Sequence, residues 1–536
     1  MTHTADIVVA GAGHNSLITA AYLAKAGHEC IVLDARSIPG GGAATEELLG
    51  PGYKIDSCST GHTIIRVNPL LLNDELGLHA DYGLEYLEPD PVGHVAFPDG
   101  EQLTMWLDLD RTCDEIARFS KRDAQAYRRM IAEYDEVKGI FGRARVTPPG
   151  FGPSLEEMLL EHPRGRIWLR RNAISAWDVI RREFEDRHVQ AFMIWQAFQT
   201  LVPVDAAGSG VNAYSIIFGR QGRSWSVPRG GSGALTEALT RFLEDHGSTV
   251  VTGRQVSRLV LEDGRCAGVE TDDGERWMAR RAVLSTIHVK HLVEMAPRDA
   301  WGEEFVYGAD TYDVGMSGMA CYLATDAAPE FETPDGPRAA VSAGTVGWPE
   351  DVLELGRAVR DGRPHDHGVP WLLVATPTLV DPDRAPEGQH TVKLLSPQTW
   401  DLPEGVASWE EHKETIFRRQ LEHVRRFVPA LSDEHILTSY VKSPADIEAS
   451  NQHMIRGAFH GGDRSYAFSG KNRPVPGWAD HRMPIPGLYQ TGGTTSVGGS
   501  VTGVPGRSAA MVMLTDLGND PEEVMTGAGR ARAGSR

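Results

Sequence analysis

The segment Asp6 to Ala10 (DIVVA) is a short apolar run rich in branched residues, a pattern that predicts a strand. Leu17 to Ala26 then reads as a helix stopped by Gly27, and the apolar run Cys30 to Leu33 as a second strand. From Pro228 the chain reads PRGGSGALTEALTRFLEDHG: a glycine turn, a helix with Leu235, Leu239, Phe242 and Leu243 on one side, and Gly247 as its stop. The period then changes to two. Strands are expected at Thr249 to Val251, Val256 to Glu262, Cys266 to Thr271, Trp277 to Ala279 and Ala282 to Ser285, with Asp263-Gly264 and Asp273-Gly274 as hairpin turns. Near the end, Pro486 to Thr491 reads as a short strand and Arg507 to Leu514 as a helix.

Two long regions separate these segments. In the first, Ser120 to Ile140 is charged and periodic, Ser154 and Glu157 form a capping box, and Ala176 to Leu201 carries FMIWQAF. In the second, Trp371 to Val374 is strand-like, and Ser408 with Glu411 would cap a helix from Trp409 to Phe427. The expected fold is α/β, a discontinuous Rossmann-like domain at 1–75, 220–295 and 474–525. An α+β substrate domain (76–219 and 296–473) is inserted into it, and residues 526–536 form a disordered tail. No internal repeat is visible.

Composition narrows the function. The 536 residues are 41% hydrophobic and 24% charged, those of a globular chain. With 53 Lys+Arg against 73 Asp+Glu the formal charge is −20, which repels nucleic acid and anionic membranes. Five scattered cysteines without a C-x-x-C fit neither a disulfide framework nor a zinc site, and make a reducing cytoplasm the expected location. The N-terminal apolar run lacks a basic flank, and the uncharged stretch Val189 to Val204 is too polar and too short to span a membrane. His365-Asp366-His367 reads as a solvated loop without a third ligand, so no metal is expected. The patterns of a nucleophile elbow, a Walker A loop and a zincin helix are absent.

The chemistry lies in the glycines. Gly11-Ala12-Gly13-His14-Asn15-Ser16 joins the first strand to the first helix, and Asp34 ends the second strand where a dinucleotide fold places a carboxylate on an unphosphorylated ribose. Gly11 permits the turn, Gly13 admits a pyrophosphate, and Ser16 replaces the usual third glycine. Ala35 and Arg36 then lead into Gly40-Gly41-Gly42-Ala43-Ala44-Thr45, a second glycine cluster that points to FAD rather than a nicotinamide cofactor. The uncharged loop Gly492 to Gly506 suits a flavin ring and ribityl chain at a helix N-terminus.

Through GAGHNSL, GGGAATEEL, PRGGSGALTEAL, RPVPGW and GLYQTGGTTSVGGSVTGVPGRSAA the chain resembles the FAD-dependent phytoene desaturase and carotenoid oxidoreductase superfamily. The resemblance is nearer to the branch of β-carotene ketolase-type enzymes and animal pyridine-nucleotide-disulfide-oxidoreductase-domain proteins. It implies a fold like that of the flavin amine oxidases. It places the pyrophosphate on Gly11, Gly13 and Ser16, the ribose on Asp34, and the pyrophosphate and ribityl region on Gly41, Gly42, Ala43, Ala44 and Thr45. Val256 would meet adenine through its backbone, Gly492 and Gly493 the ribityl phosphate, and Val501, Thr502 and Gly503 the isoalloxazine ring. The family's usual G-T-H-P-G-G-G-V is here Gly493-Thr494-Thr495-Ser496-Val497-Gly498-Gly499-Ser500-Val501, so substrate and reaction are open to difference from carotenoid enzymes. No cysteine stands in this loop, and non-covalent FAD is expected.

Hydride transfer to a flavin demands positioning more than side-chain chemistry. His62, Tyr214 and Thr495 are the candidates for a polar group over the ring, with a structural histidine the competing reading for His62. Phe192, Ile194, Trp195 and Phe198 are candidates for a substrate pocket, with core packing the preferred reading. A second dinucleotide fingerprint is absent, so electrons are expected to pass to oxygen, a quinone or another diffusible acceptor. The expected function is an FAD-dependent dehydrogenase, desaturase or oxidase acting on a small to medium, largely apolar organic substrate. Flavin amine oxidation, redox-neutral isomerisation or saturation, and a non-catalytic flavin-binding role are the alternatives.

Overall fold

The computed structural model describes residues 2–363 and 368–527; His365-Asp366-His367 and the tail beyond Gly527 lie outside them. The first sheet runs in the order Val256–Glu262, Arg265–Thr271, Arg276–Ser285, Thr2–Ala10, Cys30–Leu33 and Thr249–Val251, and Leu488–Gln490 pairs with the far half of Arg276–Ser285. Its centre is parallel. Ile7 and Val9 pack with Leu17, Leu235 and Met513 on one face, while Val8 and Ala10 pack with Val256, Trp277 and Phe305 on the other. A strand buried on both faces is why DIVVA shows no polar alternation.

The expected break between Ala279 and Ala282 is not a strand end. Arg276–Ser285 is continuous, with Arg280 and Arg281 absorbed in a register shift opposite Asp6. Both arginines are exposed, and Arg280 pairs with Asp6 at 2.9 Å. Asp263 and Gly264 take φ of 48° and 75°, the conformation a tight hairpin turn demands.

Helices His14–Lys25, Gly233–Asp245 and Val504–Asp516 cover one face. The last begins three residues before the expected Arg507, because Gly503 turns at φ 66° and Pro505 fits a first helical turn. It crosses the first helix so closely that a Cβ on Gly506 would lie 2.4 Å from the Asn15 carbonyl. Buried Glu75 accepts from Tyr22 at 2.5 Å and from both ends of the Arg507 guanidinium, locking the two helices together.

The second sheet runs Ile436–Lys442, Gly318–Thr325, His390–Pro397, Trp371–Ala375, Ser342–Val346, Gly93–Ala96 and Gln102–Met105. It is antiparallel except between Ser342–Val346 and Gly93–Ala96. Leu372 and Val374 pack against helix Trp409–Val424, and Trp371 and Leu373 against the helices of 121–223. There the expected helix at Ala176 to Leu201 is two, Ala176–Glu183 and Arg187–Phe198, because Asp186 accepts from His188 and Val189 and starts a new one. Ser120 to Ile140 is likewise split, into Lys121–Asp135 and Lys138–Val146. Thr526, the expected start of the tail, closes the helix Pro521–Thr526. Among the described residues no helix is long and apolar enough to cross a membrane.

Candidate active site

A cavity of about 840 Å³ runs from the strand ends of the first sheet to the face of the second. At the first end its wall is mostly backbone. Gly11 turns at φ 97°, where a Cβ would lie 2.5 Å from the Thr286 methyl group. Gly13 differs: its φ is −69°, and a Cβ would meet no protein atom closer than 3.8 Å. Neither conformation nor packing demands glycine there, and the space a side chain would take opens into the cavity. No side chain caps the helix that follows; its first amide, on His14, donates to Gly40 O at 3.3 Å, and the amides of Asn15 and Ser16 are left for an anion.

Asp34 is buried at the cavity wall and accepts from Ala12 N at 2.8 Å and Arg36 N at 2.9 Å, tying the glycine turn to the second strand. His14, Asn15, Ala35, Arg36, Gly41, Gly42, Val256, Gly492, Gly493 and Val501 line the same end. Asn15 also accepts from Gly506 N at 3.2 Å and so joins the two glycine-rich segments.

The other expected contacts stand behind this wall. Ser16 donates to the carbonyls of Gly11 and Gly13, bracing the turn in place of the third glycine. Ala43 and Ala44 are buried in the protein, and Thr45 bonds Asp56 and accepts from Gly233 N. Thr502 and Gly503 form the turn into helix Val504–Asp516, with the Thr502 hydroxyl accepting from Val504 N.

None of the three candidate polar groups faces the cavity. Ser232 gives its one proton to Ser59 O, so His62 Nε2 donates to Ser232 and Nδ1 accepts from Tyr86. Burial pulls this histidine to about 3, a neutral brace. Tyr214 donates to Glu183 within an aromatic cluster around Trp168. Thr495 donates to Gly492 O and shapes its own loop. Phe192, Ile194, Trp195 and Phe198 belong to the core, where Trp195 donates to Leu372 O at 3.1 Å.

Side chains that local sequence does not flag fill the far end. Leu373 and Ala375 on one strand, and Lys393 and Leu395 on its neighbour, face the cavity at period two. Lys393 donates to the carbonyls of Asp56 and Cys58, and burial lowers its pKa. An ammonium has three donors, so one remains. At the first end a further residue that local sequence does not flag, His453, lines the wall beside Gly493, and burial pulls it to about 4.

The sequence matches the flavin containing amine oxidoreductase family over residues 17–510. The pyridine nucleotide-disulfide oxidoreductase domain-containing protein 2 of Mus musculus is 28% identical, over 96% of this chain and 94% of its own. One component of the limonene dehydrogenase of Castellaniella defragrans is 26% identical, over 97% of each chain. An oxidoreductase of Methanosarcina mazei shares the fold with a TM-score of 0.57 at 16% identity, covering 96% of this chain and 100% of that one.

Proposed function

The chain belongs to the flavin containing amine oxidoreductase family and is an oxidoreductase, and from that premise we propose that it binds FAD non-covalently and dehydrogenates a small to medium, largely apolar organic substrate. One observation carries the reading: a single cavity has the glycine and Asp34 wall at one end and a mainly apolar, side-chain wall at the other. When bound, the flavin would accept a hydride equivalent from a CH–CH or CH–N carbon and pass electrons to oxygen or a quinone.

The residues of the chain supply binding and exclusion of water. Gly11, Gly13, Gly41 and Gly42 would hold the pyrophosphate, Asp34 the ribose, and Gly492, Gly493 and Val501 the ribityl and ring region. The side chains of Ile64, Trp225 and Phe459 make the neighbouring wall apolar and keep bulk water from it. Lys393 holds the segment Asp56 to Cys58 against the second sheet and keeps one N–H for the cavity.

The test is anaerobic addition of a cyclic alkene, a ketone and a secondary amine, separately, to the flavin-loaded protein. Bleaching of the oxidised flavin band by one class supports dehydrogenation and names the donor. Products with an unchanged hydrogen count and no bleaching would point to isomerisation and sink the reading.

A further inference from the structure

The far end of the cavity holds positive charge that nothing neutralises. Arg220, on helix Asn212–Arg223, is 7% exposed and donates to two neutral acceptors, Gln196 Oε1 and Gln199 Oε1, the latter at 2.6 Å. Arg145 and Lys393 line this end too, and among the described residues no carboxylate lies within 4.0 Å of any of the three. The acidic groups of the cavity wall are at its other end. Asp34 is engaged by the amides of Ala12 and Arg36, and Glu294, beside strand Val256–Glu262, pairs with Arg298.

A buried guanidinium without a counter-charge is unfavourable, and burial pulls Arg220 down to about 9. Arg473 shows how the fold treats a cation meant only for structure. It is buried more deeply still, lies off the cavity, and donates to the carbonyls of Gly493, His460, Asp463 and Phe468. Arg220 has no such cage of carbonyls. Beside it the Gln199 amide nitrogen is buried without a partner, a further donor at the same wall. The surrounding surface is apolar, from Leu201, Ile216, Trp225, Leu373, Leu395 and Phe459.

We infer that the substrate is an organic anion, an apolar body bearing one carboxylate that Arg220 holds. This rests on the reading of the cavity as a flavin site and adds the charge of its substrate. A planar guanidinium meets a carboxylate through paired hydrogen bonds, whereas a cationic amine would face like charge. The helix carrying Arg220 packs on Lys121–Asp135 and Arg187–Phe198, away from helix His14–Lys25 and its glycine turn, so the guanidinium belongs to the substrate end.

The test titrates the flavin-loaded enzyme with 3-phenylpropanoate, its methyl ester and 3-phenylpropylamine, which share a body and differ in charge, and follows the flavin absorption band. The carboxylate should half-saturate at a concentration about tenfold or more below the other two. Arg220→Met should raise that concentration about tenfold at unchanged flavin per chain, and Arg220→Lys should restore part of it. Equal or tighter binding of the ester or amine, no perturbation by any probe, or an unchanged carboxylate titration in Arg220→Met would overturn the inference. So would a loss of flavin in Arg220→Met, which would give the guanidinium to the cofactor. If Arg220→Met does not fold, the three probes on the wild-type enzyme decide. A chain that holds no flavin would instead remove the underlying functional reading, and the two failures are distinct.

Discussion

At one end of the cavity the wall is made of Gly11, Gly13, Gly41, Gly42, Gly492 and Gly493; at the other it is made of Arg145, Arg220, Trp225, Leu373, Lys393 and Phe459. The first set presents amides and open space from segments whose conformation is fixed locally, by a strand, a turn and a helix start. The second presents side chains from helices Lys138–Val146 and Asn212–Arg223, from two strands of the second sheet and from the loops of Trp225 and Phe459, brought together only by the fold. Backbone recognition tolerates change elsewhere because it depends on a few positions lacking a Cβ. Side-chain recognition depends on every element that aims a residue.

Substitutions at the two ends should therefore fail differently, and the largest effect is expected at Gly13. Gly13→Val adds a Cβ that meets no protein atom closer than 3.8 Å and γ-methyls that enter the cavity, so the fold should survive while the ligand space is filled. Flavin per chain should drop to about a tenth of wild type or less, with an unchanged far-ultraviolet circular dichroism spectrum. Retention of full flavin would break the comparison at its stronger end.

Acidification comes next. His14 and His453 at the first end fall to about 4, and His460, whose Nδ1 accepts from Ser500 N beside the C-terminal glycine loop, to about 3, against an ordinary 6.5. Their folded values lie below the unfolded ones, so the unfolded chain takes up protons first as pH falls. The stability they hold is fully present above about pH 6.5 and is lost as pH falls towards 4 and then 3, of order 3 kcal/mol for His14 and for His453 and of order 5 kcal/mol for His460. Thermal melts of the apoprotein across this range should show Tm falling; a flat profile would mean that these rings are not buried neutral.

At the side-chain end, Lys393→Met should leave flavin content intact and slow anaerobic bleaching by roughly tenfold, because a charged donor is lost from the cavity and the segment Asp56 to Cys58 loses its tether. Loss of flavin instead would move Lys393 to the cofactor's side of the division. The smallest effect is expected from Tyr214→Phe, which removes one hydrogen bond to Glu183 outside the cavity and should cost about 1 kcal/mol in a denaturant melt without altering flavin content or bleaching.

The same contrast explains what was readable before the fold was known. Strand Cys30–Leu33, the helix after Gly231, the hairpin at Asp263-Gly264 and the Ser154 capping box follow from local pattern, because the residues that decide them are neighbours in sequence. Arg280 and Arg281 obscured one long strand, since a register shift opposite Asp6 is set by the partner and not by the run itself. In the site, the glycines and Asp34 were legible because backbone contact requires a contiguous motif. Ser16, Ala43, Ala44, Thr45, Thr502 and Gly503 belong to those motifs yet stand one layer back, a distinction of depth that spacing does not carry.

Arg220, Lys393 and His453 were not legible at all. Each is one polar residue among others in a segment that reads as an ordinary helix, strand or loop, and only the tertiary fold brings it to the cavity wall. His62 and Tyr214 drew attention for their chemistry and proved to be satisfied within the protein, by Ser232 and Tyr86 in one case and by Glu183 in the other.

The most direct measurement is the absorption spectrum of the wild-type chain after incubation with FAD and removal of unbound cofactor by gel filtration. The backbone-built end of the cavity predicts an oxidised flavin band corresponding to about one FAD per chain, released intact on denaturation. A chain that emerges without flavin, while folded, would contradict the assignment of that wall and everything derived from it.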